Sequence, residues 1–340
     1  MSTLKPIYFE EKERLLNKNY QKYLENNFKQ LQEAYQQAYE DIEKEIAQWY
    51  VEKMPNITNP QFRFSELKNL EDLKMQIRLI LDELATVEEA LLTGSVKELY
   101  ISDYIDFHEL NKKYKLEQTN TPLPAFNSLK APQVLETYVN LPKIRPTVAE
   151  LADLIEVNFV SDAISGRWFN TRIRERADKL NYSIEERLRQ AIIRGESYSK
   201  TASAISDELS VSYNSAKTLV RTEMALTENK AVIHNCMKLG YNGLEWSCYK
   251  DDRACKVCQE LNGTLFKVDE VRAKDLLPHP NCRCTMIEVM LNEDGTKKKS
   301  KYYNKAKEYM EQKAKETNER INKQYADFKN VKTLKNKYLL

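Results

Sequence analysis

Apolar residues recur every three or four positions along most of the chain, which is the period of one face of an α-helix. Tyr20, Leu24, Phe28, Leu31, Tyr35, Ala38, Ile42, Ile46 and Trp49 form one such stripe and predict a single long helix lying against a partner. Leu67, Leu70, Ile77, Leu81, Leu84, Val87 and Leu91 predict a second helix. Gly94 predicts a break before a further helical stretch through Tyr100, Tyr104 and Leu110. Residues 1–117 therefore read as a long helical hairpin. Five of the ten prolines (Pro122, Pro124, Pro132, Pro142, Pro146) follow, and each removes an amide donor and biases its predecessor toward extended backbone, so residues 118–146 read as a linker or arm.

Helix is expected again from Thr147, which forms a capping box with Glu150, and a second such box at Ser183 and Glu186 predicts another helix start. Trp168, Phe169, Ile173, Leu180, Leu188, Ile192 and Ile193 can supply the core of this part. After Gly195 a short helix is expected over 199–209 and a longer one over 213–239, ended by Gly240. Residues 147–243 thus form a helical middle domain. From Leu244 the pattern changes: 244–249, 263–268 and 285–290 are short β-branched or aromatic runs between turn residues, predicting a small α+β module over 244–291. Residues 292–340 return to helical spacing, with Tyr302, Tyr309, Ile321, Tyr325, Phe328 and Val331 among lysines. The expected fold class is mainly α: hairpin, helical middle domain, a small module resembling a zinc knuckle, and a C-terminal basic helix.

Composition narrows the classes. Seven glycines in 340 residues are too few for a turn-rich β protein or a Rossmann fold, and a mean hydropathy of −0.67 with 31% charged residues excludes a membrane-embedded chain. No apolar run approaches the ~20 residues that a bilayer crossing requires. The first eighteen residues carry charges of both signs and no apolar core of a secretory signal, so the chain is expected to mature inside the cell that makes it. Net charge is +2, but residues 296–340 alone carry +9, which suggests a tail that meets a polyanion or an acidic partner, or a solvated helical face.

All six cysteines fall between Cys236 and Cys284, and such clustering in a chain without a signal peptide favours metal or free thiols over disulfides. Cys255 and Cys258 form C-x2-C; after 20 intervening residues comes H-P-N-C-R-C, with His279, Cys282 and Cys284. Two knuckles of soft ligands at this spacing suit one tetrahedral Zn2+. Five candidates compete for four places. Cys255, Cys258, His279 and Cys282 are the preferred set, and Cys284 is the spare or the replacement for His279. Four protein ligands leave no open position for water, so the metal would be structural. Without metal, the same residues would be reduced, partly buried thiols in a loop stiffened by Pro278 and Pro280. Cys236 and Cys248 lie outside the pattern and read as core, while His108 and His234 read as structural or surface histidines.

No catalytic residue is identified. A zinc deaminase needs H-x-E followed by P-C-x-x-C, whereas here the order is reversed and no Glu follows His279 at that spacing. H-E-x-x-H, G-x-S-x-G and G-x-x-x-x-G-K-[ST] are absent.

Trp246, Asp251, Arg253, Cys255, Cys258, Leu261, Gly263 and Phe266, followed by His279, Pro280, Asn281, Cys282 and Arg283, resemble two signatures of phage head morphogenesis proteins: D-x-R-x-C-x-x-C-x-x-L-x-G-x-x-F and H-P-N-C-R. These are minor capsid proteins similar to the F protein of phage Mu and its SPP1 counterpart. Gly166-Arg167-Trp168, Arg194 to Tyr198 and Val220 to Ala225 resemble helices of the same family. The resemblance covers residues 141–290 and implies a non-enzymatic component of the procapsid or virion, made in the host cytoplasm. Its implied partners are the portal protein and scaffolding or major capsid protein. The same domain is sometimes fused to toxin modules, and no such module is evident after Met290. Zinc knuckles and the basic tail leave a second reading open, a nucleic-acid-binding module acting on packaged DNA; a nuclease or toxin-like enzyme is the third.

Overall fold

A computed structural model describes residues 6–53, 70–114, 169–248, 254–271, 277–282 and 284–297. Four long helices dominate: α1 (Pro6–Lys53), α2 (Glu71–Lys113), α3 (Phe169–Arg194) and α4 (Tyr198–Lys238). Strand β1 (Gly243–Ser247), a one-turn helix α5 (Lys256–Leu261), β2 (Leu265–Lys267) and β3 (Thr285–Val289) complete the described residues. The fold is mainly α with a small antiparallel sheet in the order β2-β1-β3. Leu244 faces Phe266 on one side and Glu288 on the other, and Trp246 faces Met286. No helix among the described residues is long and apolar enough to cross a membrane.

The predicted stripes are the packing surfaces. Leu31, Tyr35, Ala38, Ile42, Ile46 and Trp49 of α1 are buried against Leu73, Ile77, Leu81 and Leu84 of α2, and Leu180, Ile184, Leu188 and Ile205 of α3 and α4 close this half of the core. A second core joins the other ends of α1, α2 and α4 to the sheet, with Leu99, Tyr100, Met224, Val232 and Trp246 at its centre. Each such aliphatic side chain contributes about 1.5–3 kcal/mol when removed from water.

That gain explains three departures from the sequence expectations. α2 runs through Gly94 without a break, because Leu92, Val96 and Leu99 are all buried on its core face and outweigh the ~1 kcal/mol that one helical glycine costs. α3 passes Ser183 and Glu186 as one helix, so that capping box is not a start. The two helices expected over 199–209 and 213–239 are one, α4: Ser212, the last residue of the expected gap, is buried and 2.9 Å from the Tyr35 hydroxyl of α1. Ser197 caps α4, its Oγ accepting from the Lys200 N–H. At the other end, Gly240 takes φ 72°, and the Tyr241 N–H bonds to the Cys236 carbonyl, the closure that lets a helix stop sharply. Ile193 and Val87, expected in the core, are exposed; α2 uses Glu88 and Leu92 there instead. The capping box at Thr147, the Pro-rich arm and all of the basic tail beyond Lys297 lie outside the described residues.

Where α1, α2, α4 and β3 converge, the core is polar. The Tyr8 hydroxyl donates to Asn111 Oδ1 (2.9 Å), Asn111 Nδ2 to Asn235 Oδ1 (2.7 Å), and Asn235 Nδ2 back to the Tyr8 oxygen (3.0 Å), closing a buried ring. Beside it, Lys12 pairs with Glu288 with both side chains buried. Removing one member of such a pair leaves a charge stranded in a low dielectric, which costs several kcal/mol. The pair therefore fixes how the sheet sits on the bundle. Arg172 and Arg176 of α3 pair likewise with Glu223 of α4 and Glu88 of α2.

Burial outweighs these cations at two carboxyls: Glu223 and Glu228 are pushed up to about 7 from the ordinary 4.5. A carboxyl with a raised folded-state pKa holds a proton that the unfolded chain releases, so its stabilisation is full below about pH 4.5 and is lost as pH rises through 7. His234, pushed down to about 4 by burial, acts oppositely but only below about pH 6.5. The contribution of these two carboxyls to stability is therefore expected to fall between pH 6.5 and 8, by on the order of 1 kcal/mol each, read as the difference between thermal unfolding of wild type and variant. Glu228→Gln should flatten that fall, and an unchanged pH profile in the variant would refute the assignment.

Candidate metal centre

The two cysteine-bearing segments meet on the surface of α4. The first is a turn built on α5. Cys255 stands at its N-cap with extended backbone, and its sulfur accepts the Cys258 N–H at 3.4 Å. One helical turn then brings the Cys258 sulfur back beside it, which is why C-x2-C suits a shared ligand. Gly263, φ 83°, reverses the chain after α5, and its N–H bonds to the Trp246 carbonyl at 2.8 Å. Asn262 accepts the Cys248 N–H at 2.9 Å. Leu261 and Phe266 pack against the core from the same turn, so each described apolar or glycine position of the first signature has a mechanical task.

The second segment, Leu277 to Cys282, is seated on α4 by Asn281. Its φ of 58° lies in the left-handed region, which Asn tolerates better than a bulkier residue. The Asn281 N–H donates to Thr222 Oγ1 (3.1 Å) and its side-chain amide to Thr218 Oγ1 (3.3 Å). The two threonines are one turn apart on α4, and each hydroxyl also bonds to the carbonyl four residues before it. This docking places His279 and Cys282 over α5.

Five ligand atoms gather there. Cys255, Cys258 and His279 lie within 4.8 Å of one another, and so do Cys258, Cys282 and Cys284, with Cys258 common to both groups. Cys258 Sγ is 3.0 Å from His279 Nε2 and 3.6 Å from Cys282 Sγ. The His279 Nδ1–H donates to the Pro280 carbonyl at 2.8 Å, which selects the tautomer whose Nε2 lone pair faces the sulfurs. Cys258, Cys282 and Cys284 are buried, while Cys255 and His279 close the outer side. All five candidates from the sequence are thus brought together, Cys284 inside the cluster and not beside it.

The electrostatics suit a cation. The Cys258 N–H bond lowers the Cys255 thiol, and the Cys284 thiol, aided by a backbone N–H, brings Cys282 down to about 6. Within the buried trio, Cys258 is raised by burial and by the Cys282 charge, and Cys284 is raised mainly by donating to Cys282. Burial works against the His279 imidazolium, but the Pro280 carbonyl and the neighbouring thiolates outweigh it and raise its pKa. One sulfur ionises most readily and its neighbours hold protons against it; a bound dication would stabilise several thiolates together. Three sulfurs with one imidazole nitrogen, or four sulfurs, are donor sets that suit structural zinc.

Cys236 and Cys248 are buried, Cys248 close enough for its charge to raise the Cys284 thiol, and His234 bonds to the Tyr100 hydroxyl, as core residues do. His108 lies 3.2 Å from Lys238 Nζ. Asp251, Arg253 and Arg283 of the signatures lie outside the described residues. Sequence reasoning missed Thr218 and Thr222 as the seat of the second knuckle; their spacing of four on one helix face was the available signal. Asn281→Val should destabilise the protein by about 1–3 kcal/mol, through backbone strain and the lost side-chain hydrogen bond to Thr218. Asn281→Gly should cost less, and equal melting temperatures for wild type and Asn281→Val would contradict this role.

Residues 182–287, which span α4, both knuckles and most of the sheet, match the family model described as Phage Mu protein F like protein. The match bears out the resemblance carried by the two signatures. The chain is also similar to NAD(+)--arginine ADP-ribosyltransferase EFV of Enterococcus faecalis (strain ATCC 700802 / V583), at 27% identity over 175 residues. That alignment covers 46% of this chain and 34% of the relative, so the chain spans about a third of that protein's length. No solved structure matches the chain.

Proposed function

We propose that this chain, similar over residues 182–287 to Phage Mu protein F like proteins, is a minor head protein of a phage that acts without catalysis in procapsid or head assembly. It would make contacts with the portal, with scaffolding protein or with the major capsid protein, in the host cytoplasm during assembly and afterwards in the virion. The observation that carries this reading is the pair of signatures, C-x2-C and H-P-N-C, converging on one helix inside the matched region. Cys255, Cys258, His279 and Cys282 would hold one structural Zn2+, with Cys284 available in place of His279. The ion would supply a cross-link between two loops that share no backbone ladder among the described residues, and so would hold the sheet and α5 in one arrangement on α4.

An assembly protein needs a rigid part that presents a surface and groups that fix it there. The bundle with its buried ion pairs supplies the first, and the metal-braced module the second. The +9 charge of residues 296–340 supports the alternative in which the protein also touches packaged DNA. Similarity to the ADP-ribosyltransferase supports a catalytic alternative, but the alignment reaches a third of that protein.

Protein purified without chelator should carry about one equivalent of zinc, with loss of tertiary structure in the module on chelation. Cys255→Ser/Cys258→Ser should reduce the metal to trace levels; metal-free wild-type protein of unchanged stability would exclude the cross-link. Purified heads should contain the chain together with the portal protein, and its absence from heads would sink the assembly role. Incubation with NAD+ and an arginine acceptor should yield no ADP-ribosylated product, whereas turnover would favour the catalytic alternative.

A further inference from the structure

A half-buried basic ledge, held by aromatic rings of α1 and α4, borders the second knuckle. Lys217 and Arg221, one turn apart on α4, both lie over the ring of Phe28 on α1. The Lys217 ammonium is 5.5 Å and the Arg221 Cζ 4.7 Å from the ring centroid. Lys217 also lies 5.0 Å from the Tyr213 ring. Two cations sharing one ring repel each other: burial first, and then the Arg221 charge, lower the Lys217 pKa. Burial lowers that of Arg221 too. The aromatic rings hold both long side chains in place, so little side-chain freedom remains to be lost when an anion arrives.

Beside this pair the surface carries amide donors. Asn281 is exposed at the tip of the knuckle with its amide on Thr218, and Asn214 is exposed one turn before Thr218. A guanidinium stacked on a ring engages the ring with its face, while its N–H donors lie in its plane, the arrangement that fits a phosphate bidentately. Arg, Lys and Asn donors side by side are the elements of backbone contact.

We propose that Lys217 and Arg221, with Asn281 and Asn214 at their border, form a site for the phosphodiester backbone of nucleic acid, independent of the basic tail. The site places the phosphate strand along α4 next to the knuckle, where the docking of Asn281 sets the position of one donor. It does not depend on the assembly reading, because binding is measured on the isolated protein whatever its metal content or location.

The test is titration of a 20-base-pair duplex with the full chain and with Lys217→Gln/Arg221→Gln, followed by fluorescence anisotropy at several salt concentrations. The double variant should bind at least about tenfold more weakly at low salt. Its plot of log affinity against log salt should be shallower by about two, near 0.9 for each lost phosphate contact. Equal affinity and slope for a folded double variant would overturn the site. A second readout uses the wild-type chain, since both side chains pack on Phe28 and their replacement perturbs that contact: DNA should shield the Lys217 amine from acylation, read by mass spectrometry. Acylation of Lys217 that is unchanged by saturating DNA would overturn the proposal, as would equal protection by a polyglutamate peptide.

Discussion

One helix is the wall on which both halves of this protein are built. α4, 41 residues from Tyr198 to Lys238, packs against α1, α2 and α3 along its length and carries the sheet and the second knuckle near its C-terminal half. Its continuity is what allows Thr218 and Thr222 to hold Asn281 while Glu223, one residue on, takes Arg172 from α3. A break in α4 near Ser210 would leave the knuckle on a separate body. The buried contact between Ser212 and Tyr35 lies beside that point.

The sheet is attached to this wall by polar groups as much as by apolar ones. Lys12 and Glu288, with the ring of Tyr8, Asn111 and Asn235, join the first helix to the last strand. Hydrophobic packing tolerates small displacements, but a buried ion pair and a closed ring of hydrogen bonds tolerate few, because each unsatisfied member is costly. At the middle of β1, Lys297 pairs with buried Glu245. These contacts attach the sheet to the bundle, and a metal would brace the two loops of the knuckles against each other.

Much of this was legible in the chain, for identifiable reasons. The long stripes of α1 and α2 and the three strand segments follow from local periodicity, which a single sequence carries. Cys255, Cys258, His279, Cys282 and Cys284 were visible because their residue types have few other uses in that spacing, and the structure gathers all five. Helix continuity at Gly94, Ser183 and Ser210 was not legible: local propensity argues for breaks there, and only burial against other helices overrules it. Nor was the Lys12–Glu288 pair, whose members are 276 positions apart and have no local signature. The Phe28 ledge was hidden for the same reason, since Phe28 belongs to a core stripe and lies far in sequence from Lys217 and Arg221.

The central claim is that two knuckles of sulfur and imidazole close around one ion against α4. X-ray absorption at the zinc edge on the purified full chain tests it most directly. The account predicts a four-coordinate shell of about three sulfurs near ~2.3 Å and one nitrogen near ~2.0–2.1 Å, or four sulfurs should Cys284 replace His279. A shell of oxygen and nitrogen without sulfur would contradict it.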